Sequence, residues 1–209
     1  MTCRPGLKVG LLGGSFNPAH AGHMHISRLA LQRLGLDQIW WLVSPQNPLK
    51  STAGMLSMQQ RIKSAKRVAN GTAIQVTAIE ASFRTSNTVD TIRNLNSLFP
   101  KTKFVWLMGA DNLGQMSRWR HWQTLMANVP IAIFGRPTYS LRALNSLAAR
   151  HIRRQRVRAQ RFRGLALRKP PVWCFISGPL HPQSATAIRQ AGNQGAHLNQ
   201  TNDKRSNSS

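Results

Sequence analysis

Lys8-Val-Gly-Leu-Leu12, running into Gly13-Gly14-Ser15-Phe16-Asn17-Pro18-Ala19-His20-Ala21-Gly22-His23, is the stretch that decides how the rest of the chain is read. A short apolar run that stops at two glycines reads as a buried strand entering a turn. From Gly22 to Leu34 the residues Ile26, Leu29, Ala30, Leu31 and Leu34 recur near helical spacing, so a helix is expected directly after the turn. Backbone N–H groups at that helix's N-terminus, with the positive end of its dipole, suit a phosphate. His20 and His23 stand three residues apart at its start and can face one anion, while Gly22 lets a nucleotide approach the backbone. The competing reading is a plain turn with two incidental histidines. Strand, glycines and His-x-Gly-His occurring together weigh against it.

Outward from this stretch, apolar runs and helical patterns alternate. Strands are expected at Ile39–Val43, Ala73–Val76, Phe104–Met108, Ile131–Phe134 and Val172–Ile176. Helices are expected at Met55–Ala69, Thr88–Leu98 and Gln115–Met126, with a short one from Ser184. Strands separated by helices of this length imply crossover connections and a parallel sheet with helices on both faces. The expected fold is therefore a doubly wound, Rossmann-like α/β domain over residues 1–190, with ligands at the carboxyl ends of the strands. Residues 191–209 are almost devoid of apolar side chains and read as a disordered tail.

Composition narrows the function. At 209 residues with 41% hydrophobic content the chain can bury one full core. It contains no apolar run long enough to span a membrane, and its first eight residues do not read as a signal peptide. Cys3 and Cys174 are the two cysteines and lie far apart, so neither a disulfide framework nor a zinc knuckle is expected, and a reducing cytoplasm is the default. Twenty-nine Lys and Arg face five acids, for a formal charge of +24. Such a field attracts polyanions, though a general basic drift of composition gives the same number. The acids, Asp37, Glu80, Asp90, Asp111 and Asp203, are too few for a carboxylate dyad or an acidic two-metal cage, which argues against glycosidase and nuclease chemistry. Eleven of the cations fall between Arg136 and Lys169, where Leu141, Leu144, Ala148 and Ile152 share one helical stripe. Part of this segment is expected to be a basic helix docked on the body.

Gly-Gly-Ser-Phe-x-Pro-x-His-x-Gly-His resembles the phosphate-binding motif of the nucleotidyltransferase superfamily, to which the class I aminoacyl-tRNA synthetases are related. A synthetase is far larger than this chain, and the Lys-Met-Ser-Lys-Ser sequence is absent. Four further segments resemble the nicotinate-nucleotide adenylyltransferase branch. They are Ser44-Pro45-Gln46-Asn47-Pro48-Leu49-Lys50, Glu80 with Ser86–Ile92, Gly109–Leu113 with Trp119 and Trp122, and Ser184-Ala185-Thr186-Ala187-Ile188-Arg189. Asn17 stands where many relatives carry Asp, Asn87 where many carry Tyr, and Arg136-Pro137-Thr138 replaces the commoner Arg-Pro-Gly. The basic segment lies outside these matches.

The resemblance implies transfer of the adenylyl group of ATP to nicotinate mononucleotide, releasing pyrophosphate, with Mg²⁺ delivered on ATP and no protein metal site. By the same resemblance His20, His23, Lys50 and Arg189 act on the phosphates. Gly13, Gly14, Ser15, Phe16, Gly22, Gly109, Asp111, Ser184 and Thr186 bind ATP, and Asn47, Thr88, Asp90 and Trp119 bind the mononucleotide. Each residue also has a plainer reading. A loop Lys50 is ordinarily solvated, Ser184, Thr186 and Thr88 suit helix caps, Asp111 suits a cap or a ribose hydroxyl, and Trp119 and Trp122 suit the core. The rivals are another small adenylyltransferase and a basic nucleic-acid-binding protein on the same scaffold. No RNA-binding aromatic motif supports the latter.

Overall fold

The computed structural model describes residues 5–45, 54–85, 87–135 and 140–177, with the side chain of Leu141 left aside. Six strands form one sheet: β1 (Lys8–Gly14), β2 (Gln38–Val43), β3 (Ile74–Thr77), β4 (Lys103–Gly109), β5 (Ile131–Phe134) and β6 (Trp173–Ile176). Their order is β3-β2-β1-β4-β5-β6, and every neighbouring pair is parallel. The expected doubly wound sheet is the observed one. Chain order reverses between β1 and β4, and in such sheets this switch point opens a crevice at the carboxyl ends.

Both faces of the sheet are covered, so successive residues of one strand enter different cores. Trp40 and Leu42 of β2, with Trp106 and Met108 of β4, join the first cluster. It also holds residues of α4 (Thr88–Leu98), α5 (Ala110–Gln115), α6 (Trp122–Asn128), α7 (Ser140–Leu144) and α8 (Leu147–His151). Ile39, Trp41, Val105 and Leu107 join the second, under α1 (Ala21–Leu34) and α2 (Met58–Ala69). A one-turn helix, α3 (Ile79–Ser82), follows β3.

Three expectations change. The helix expected over Gln115–Met126 starts earlier, as α5, tightens into a 3₁₀ turn at Met116–Arg118, and resumes as α6 after His121, whose φ is +55°. The break lets Trp119 and Trp122 both lie against the first core, with Trp119 itself in extended conformation. The helix expected over part of the basic segment is broken: among its described residues the segment holds α7, α8 and two 3₁₀ stretches, Arg153–Gln155 and Ala159–Leu167. Ala143, Ala148 and Ile152 bury in the first core, whereas Leu165 and Ala166 bury in the second. A chain that serves both faces must cross the sheet edge, and it does so at Arg156, which bridges to Trp173 at the start of β6. The helix expected over Met55–Ala69 begins at Met58, because Ser57 caps it in a reciprocal capping box with Gln60. The helix expected from Ser184 and the tail over 191–209 lie outside the described residues.

Candidate active site

Glycines Gly13 and Gly14 belong to β1 itself, paired with Leu42 and Val43, so the turn starts at Ser15. Gly13 answers a packing need: a Cβ there would lie 2.6 Å from Cη2 of Trp106. The turn passes through Phe16 at φ +48°, a left-handed conformation uncommon outside glycine. The Phe16 ring is buried and stacks on Trp41 with centroids 5.0 Å apart, which holds the backbone in that conformation.

The helix that follows is capped by its two histidines. His20, in extended conformation, is the N-cap, and its Nδ1 accepts from the Gly22 N–H at 3.1 Å. The Nδ1 of His23 accepts in return from the His20 N–H at 3.2 Å. This is the geometry of a capping box with imidazoles in both places. Because each Nδ1 is an acceptor, the proton of each neutral ring sits on Nε2. The rings lie 3.9 Å apart, and His23 rests on Phe16 at 4.6 Å and near Trp41 at 5.8 Å. Trp41 is held in turn: its indole N–H donates to Ser27 Oγ at 2.8 Å, and that hydroxyl donates to the His23 carbonyl at 2.9 Å. The two imidazoles thus stand at the start of a fourteen-residue helix, beside the switch point, where the positive end of the helix dipole favours an anion.

Across the switch point, Gly109 ends β4 and is the N-cap of α5, with Asp111 half-buried in the first turn. A carboxylate there is favoured by the helix dipole and stands on the rim beside β1. Thr88 is the first residue of α4, and the cap is Asn87 rather than Thr88. Asp90 is tied to the preceding loop: Thr85 Oγ1 and Asn87 Nδ2 donate to it at 3.3 and 3.2 Å, and Arg93 pairs with it at 3.6 Å. Trp119 is half-buried on the first core, as is Trp122, whose ring meets His151 edge-on at 5.3 Å. Asn47, Lys50, Ser184, Thr186 and Arg189 lie outside the described residues. Among the described residues no three His, Cys, Asp or Glu side chains gather into a metal-ligand set. Cys174 is buried, with its thiol pushed up to about 12 by desolvation, so it is no nucleophile.

The structural roles of three residues escaped the sequence. Arg61, only 2% exposed, donates from Nη1 to the carbonyls of Ser15 and Ser44 at 2.8 Å. It also donates from Nη2 to Pro45 at 3.2 Å and from Nε to Leu56 at 3.1 Å. Asn17 donates to the Gly54 carbonyl and accepts from the Leu56 N–H, each at 3.1 Å. Glu80 accepts from the hydroxyl of Thr91 at 3.1 Å and is hydrogen-bonded by Ser44, while burial holds its pKa above the ordinary carboxylate value. A signal for Arg61 was present. It shares a four-residue spacing with Ala65 and Ala69, the buried stripe of α2, so a cation occupied a core position.

The chain matches the cytidylyltransferase-like family over residues 11–191. A protein of Parvibaculum lavamentivorans named "Probable nicotinate-nucleotide adenylyltransferase" is 52% identical over 188 residues, covering 90% of this chain and 94% of that one. A Gluconobacter oxydans protein of the same name is 48% identical, covering 89% and 95%. Among solved structures, the Plasmodium falciparum nicotinic acid mononucleotide adenylyltransferase complexed with NaAD superposes with a TM-score of 0.66 at 16% identity, covering 88% of this chain and 83% of that one. That likeness is one of fold. With the sequence matches spanning almost the whole of both chains, this chain belongs to the cytidylyltransferase-like family and, within it, to the nicotinate-nucleotide adenylyltransferases.

Proposed function

We propose that this protein transfers the adenylyl group of ATP to nicotinate mononucleotide, giving nicotinate adenine dinucleotide and pyrophosphate in NAD biosynthesis. The observation that carries this reading is the paired-histidine cap of α1, which sets two imidazoles at a helix N-terminus beside the switch point. An oxygen of the mononucleotide 5′-phosphate attacks the α-phosphorus of ATP. The bond from that phosphorus to the α–β bridging oxygen breaks, and pyrophosphate leaves with the electron pair. No protein nucleophile takes part, so the protein contributes position and charge stabilisation.

Within this reading Gly13, Gly14, Ser15, Phe16 and Gly22 shape the ATP phosphate turn, and His20 and His23 donate to the phosphates. Gly109 and Asp111 receive the adenosine, with Asp111 accepting from a ribose hydroxyl. Lys50 and Arg189 hold the departing pyrophosphate with Ser184 and Thr186. Asn47, Thr88, Asp90 and Trp119 enclose the mononucleotide, Asp90 by fixing the loop before α4. The enzymes of this kind work with a divalent metal and ATP. In this reading Mg²⁺ arrives with ATP and would be held by its phosphates. Residues 1–190 form one nucleotidyltransferase domain in this reading, with the basic segment within it. Among the described residues no helix is long and apolar enough to cross a membrane. A second role, non-specific binding of polyanions through 136–169, is favoured by the segment's arginines, which make no ion pair among the described residues.

The test is pyrophosphate release from ATP and Mg²⁺ with each candidate mononucleotide. A ring carboxylate gains from N–H donors and positive charge, so nicotinate mononucleotide should be used at least about tenfold better than the nicotinamide form, about 1.4 kcal/mol in the transition state. Equal kcat/KM for the two removes the substrate assignment, and failure to release pyrophosphate with either one removes the reaction.

A further inference from the structure

The segment between β2 and α2 leaves the sheet beside the phosphate turn and returns to it at Ser57. Its described ends are Ser44–Pro45 and Gly54–Ser57. Both are fastened to residues 15–17 by two buried side chains. The four acceptors of Arg61 are Ser15 on the turn, Ser44 and Pro45 on the departing end, and Leu56 on the returning end. Asn17, 6% exposed and itself on the turn, holds Gly54 and Leu56. Ser44 is gripped twice more: its N–H donates to the Gly14 carbonyl at 2.9 Å, and its side chain reaches Glu80.

Arg61 suits this place physically. Its guanidinium is a planar fork of N–H donors that can reach carbonyls on separate loops at once, which neither lysine nor an apolar side chain can do. Among the described residues it has no carboxylate partner, so its charge is offset by carbonyl dipoles alone. Burying an unpaired cation is costly. A hydrophobic residue would fill the same position on the Arg61–Ala65–Ala69 stripe without that cost.

We propose that Arg61 is a positioning residue, which sets the spacing between the phosphate turn and the loop after β2 and thereby aligns the two nucleotides for in-line attack. The inference rests on the adenylyl-transfer reading for its consequence in turnover, and on geometry alone for the clamp. The histidine part of the ATP phosphate receptor is built from α1 and its own cap, and Gly13 and Gly14 are paired within β1, so most of it survives loss of the clamp although Ser15 loses one hold. The acceptor phosphate's approach does not, and misplacement by about 1 Å can cost about 10²-fold in rate.

The experiment compares wild type, Arg61→Met, Arg61→Lys and Arg61→Ala, each shown folded by circular dichroism and thermal melting. Arg61→Met should lower kcat about 10²-fold while KM for ATP stays within about threefold. Arg61→Lys should fall between, and guanidinium ion, but not urea at the same concentration, should restore turnover to Arg61→Ala. A residue needed only for stability would lower the melting temperature and leave the kcat of the folded protein unchanged; that result overturns the proposal. Hydrogen exchange at the Ser44 and Leu56 amides, read in the same variants, is independent of turnover. It should rise at both sites in Arg61→Met relative to β4, and unchanged exchange refutes the clamp. Wild type without pyrophosphate release would instead defeat the functional reading, with exchange still deciding whether Arg61 holds the loops.

Discussion

The rim around the first helix and the basic strap on the far edge of the sheet solve opposite problems with charge. At the rim the polar side chains are few, and their places are set by the backbone. His20 and His23 cap each other's helix turn, Arg61 holds four carbonyls, and Asn17 pins the start of α2. On the strap, Arg150, Arg153, Arg154, Arg156, Arg158, Arg161 and Arg163 are exposed, and residues 140–177 contain no acid at all. Arg156 is seated over the rings of Trp173 and Phe175 at 5.4 and 5.6 Å. The strap meets the sheet at Trp173, the first residue of β6, whereas the rim lies at the strands' carboxyl ends. On the proposed reading, a high density of charge does not mark the catalytic site in this molecule. Charge held in one geometry does, because a transition state is stabilised by donors that need no reorganisation.

The contrast breaks most sharply at His23. His23→Ala removes one oriented donor and half of the reciprocal cap, and kcat should fall about 10²–10³-fold. Steady-state turnover of a variant that melts like wild type is the check. Near-normal kcat would mean that the rim's order serves α1 and not the phosphates.

Glu80 sharpens the comparison through pH. Its buried carboxyl has a pKa above the unfolded value, so the folded state binds its proton more tightly than the unfolded chain does. That favourable contribution is present in full at low pH and is lost as pH rises from the unfolded value through the folded one. Glu80→Gln keeps an acceptor for Thr91 and removes the titration. Relative to this variant, wild-type stability should decline as pH rises from about 4.3 upward, as followed by urea unfolding at several pH values. A difference that does not vary with pH would mean that Glu80 keeps its ordinary ionisation in the fold.

The smallest expected effect on catalysis belongs to the strap. Neutralising Arg153, Arg154, Arg156 and Arg158 together should leave kcat/KM for ATP and mononucleotide within about threefold, under about 1 kcal/mol. The same change should weaken binding to duplex nucleic acid at low salt and flatten its salt slope, by about 0.9 for each phosphate no longer neutralised. Filter binding across a salt series reads this directly. Failure of adenylyl transfer in a folded variant would attach the strap to the active site.

The alternation of apolar strands and amphipathic helices was legible in local sequence, and it was enough for the doubly wound sheet. Its signals are periodicities within a few residues, which do not depend on what the segment later touches. His-x-Gly-His was legible as a motif at a helix start, but not as a reciprocal cap between His20 and His23, which only the structure shows. The break at Trp119–His121 and the division of the strap into short pieces were not, because each follows from which core a side chain must reach. A continuous apolar stripe over Leu144, Ala148 and Ile152 cannot announce that the chain must next turn to the opposite face.

What the amino-acid sequence by itself determined, then, is the order of the elements and the place of His-x-Gly-His at the start of the first helix, since both are written in short-range spacing. Only the tertiary structure decided what Arg61 is for. Its acceptors lie 46, 17, 16 and 5 positions away, and the farther three reach it because parallel strands β1 and β2 deliver their carboxyl ends to one side. A local pattern shows a cation on an apolar stripe. The carbonyls that stabilise it exist as a cluster only after the sheet has formed.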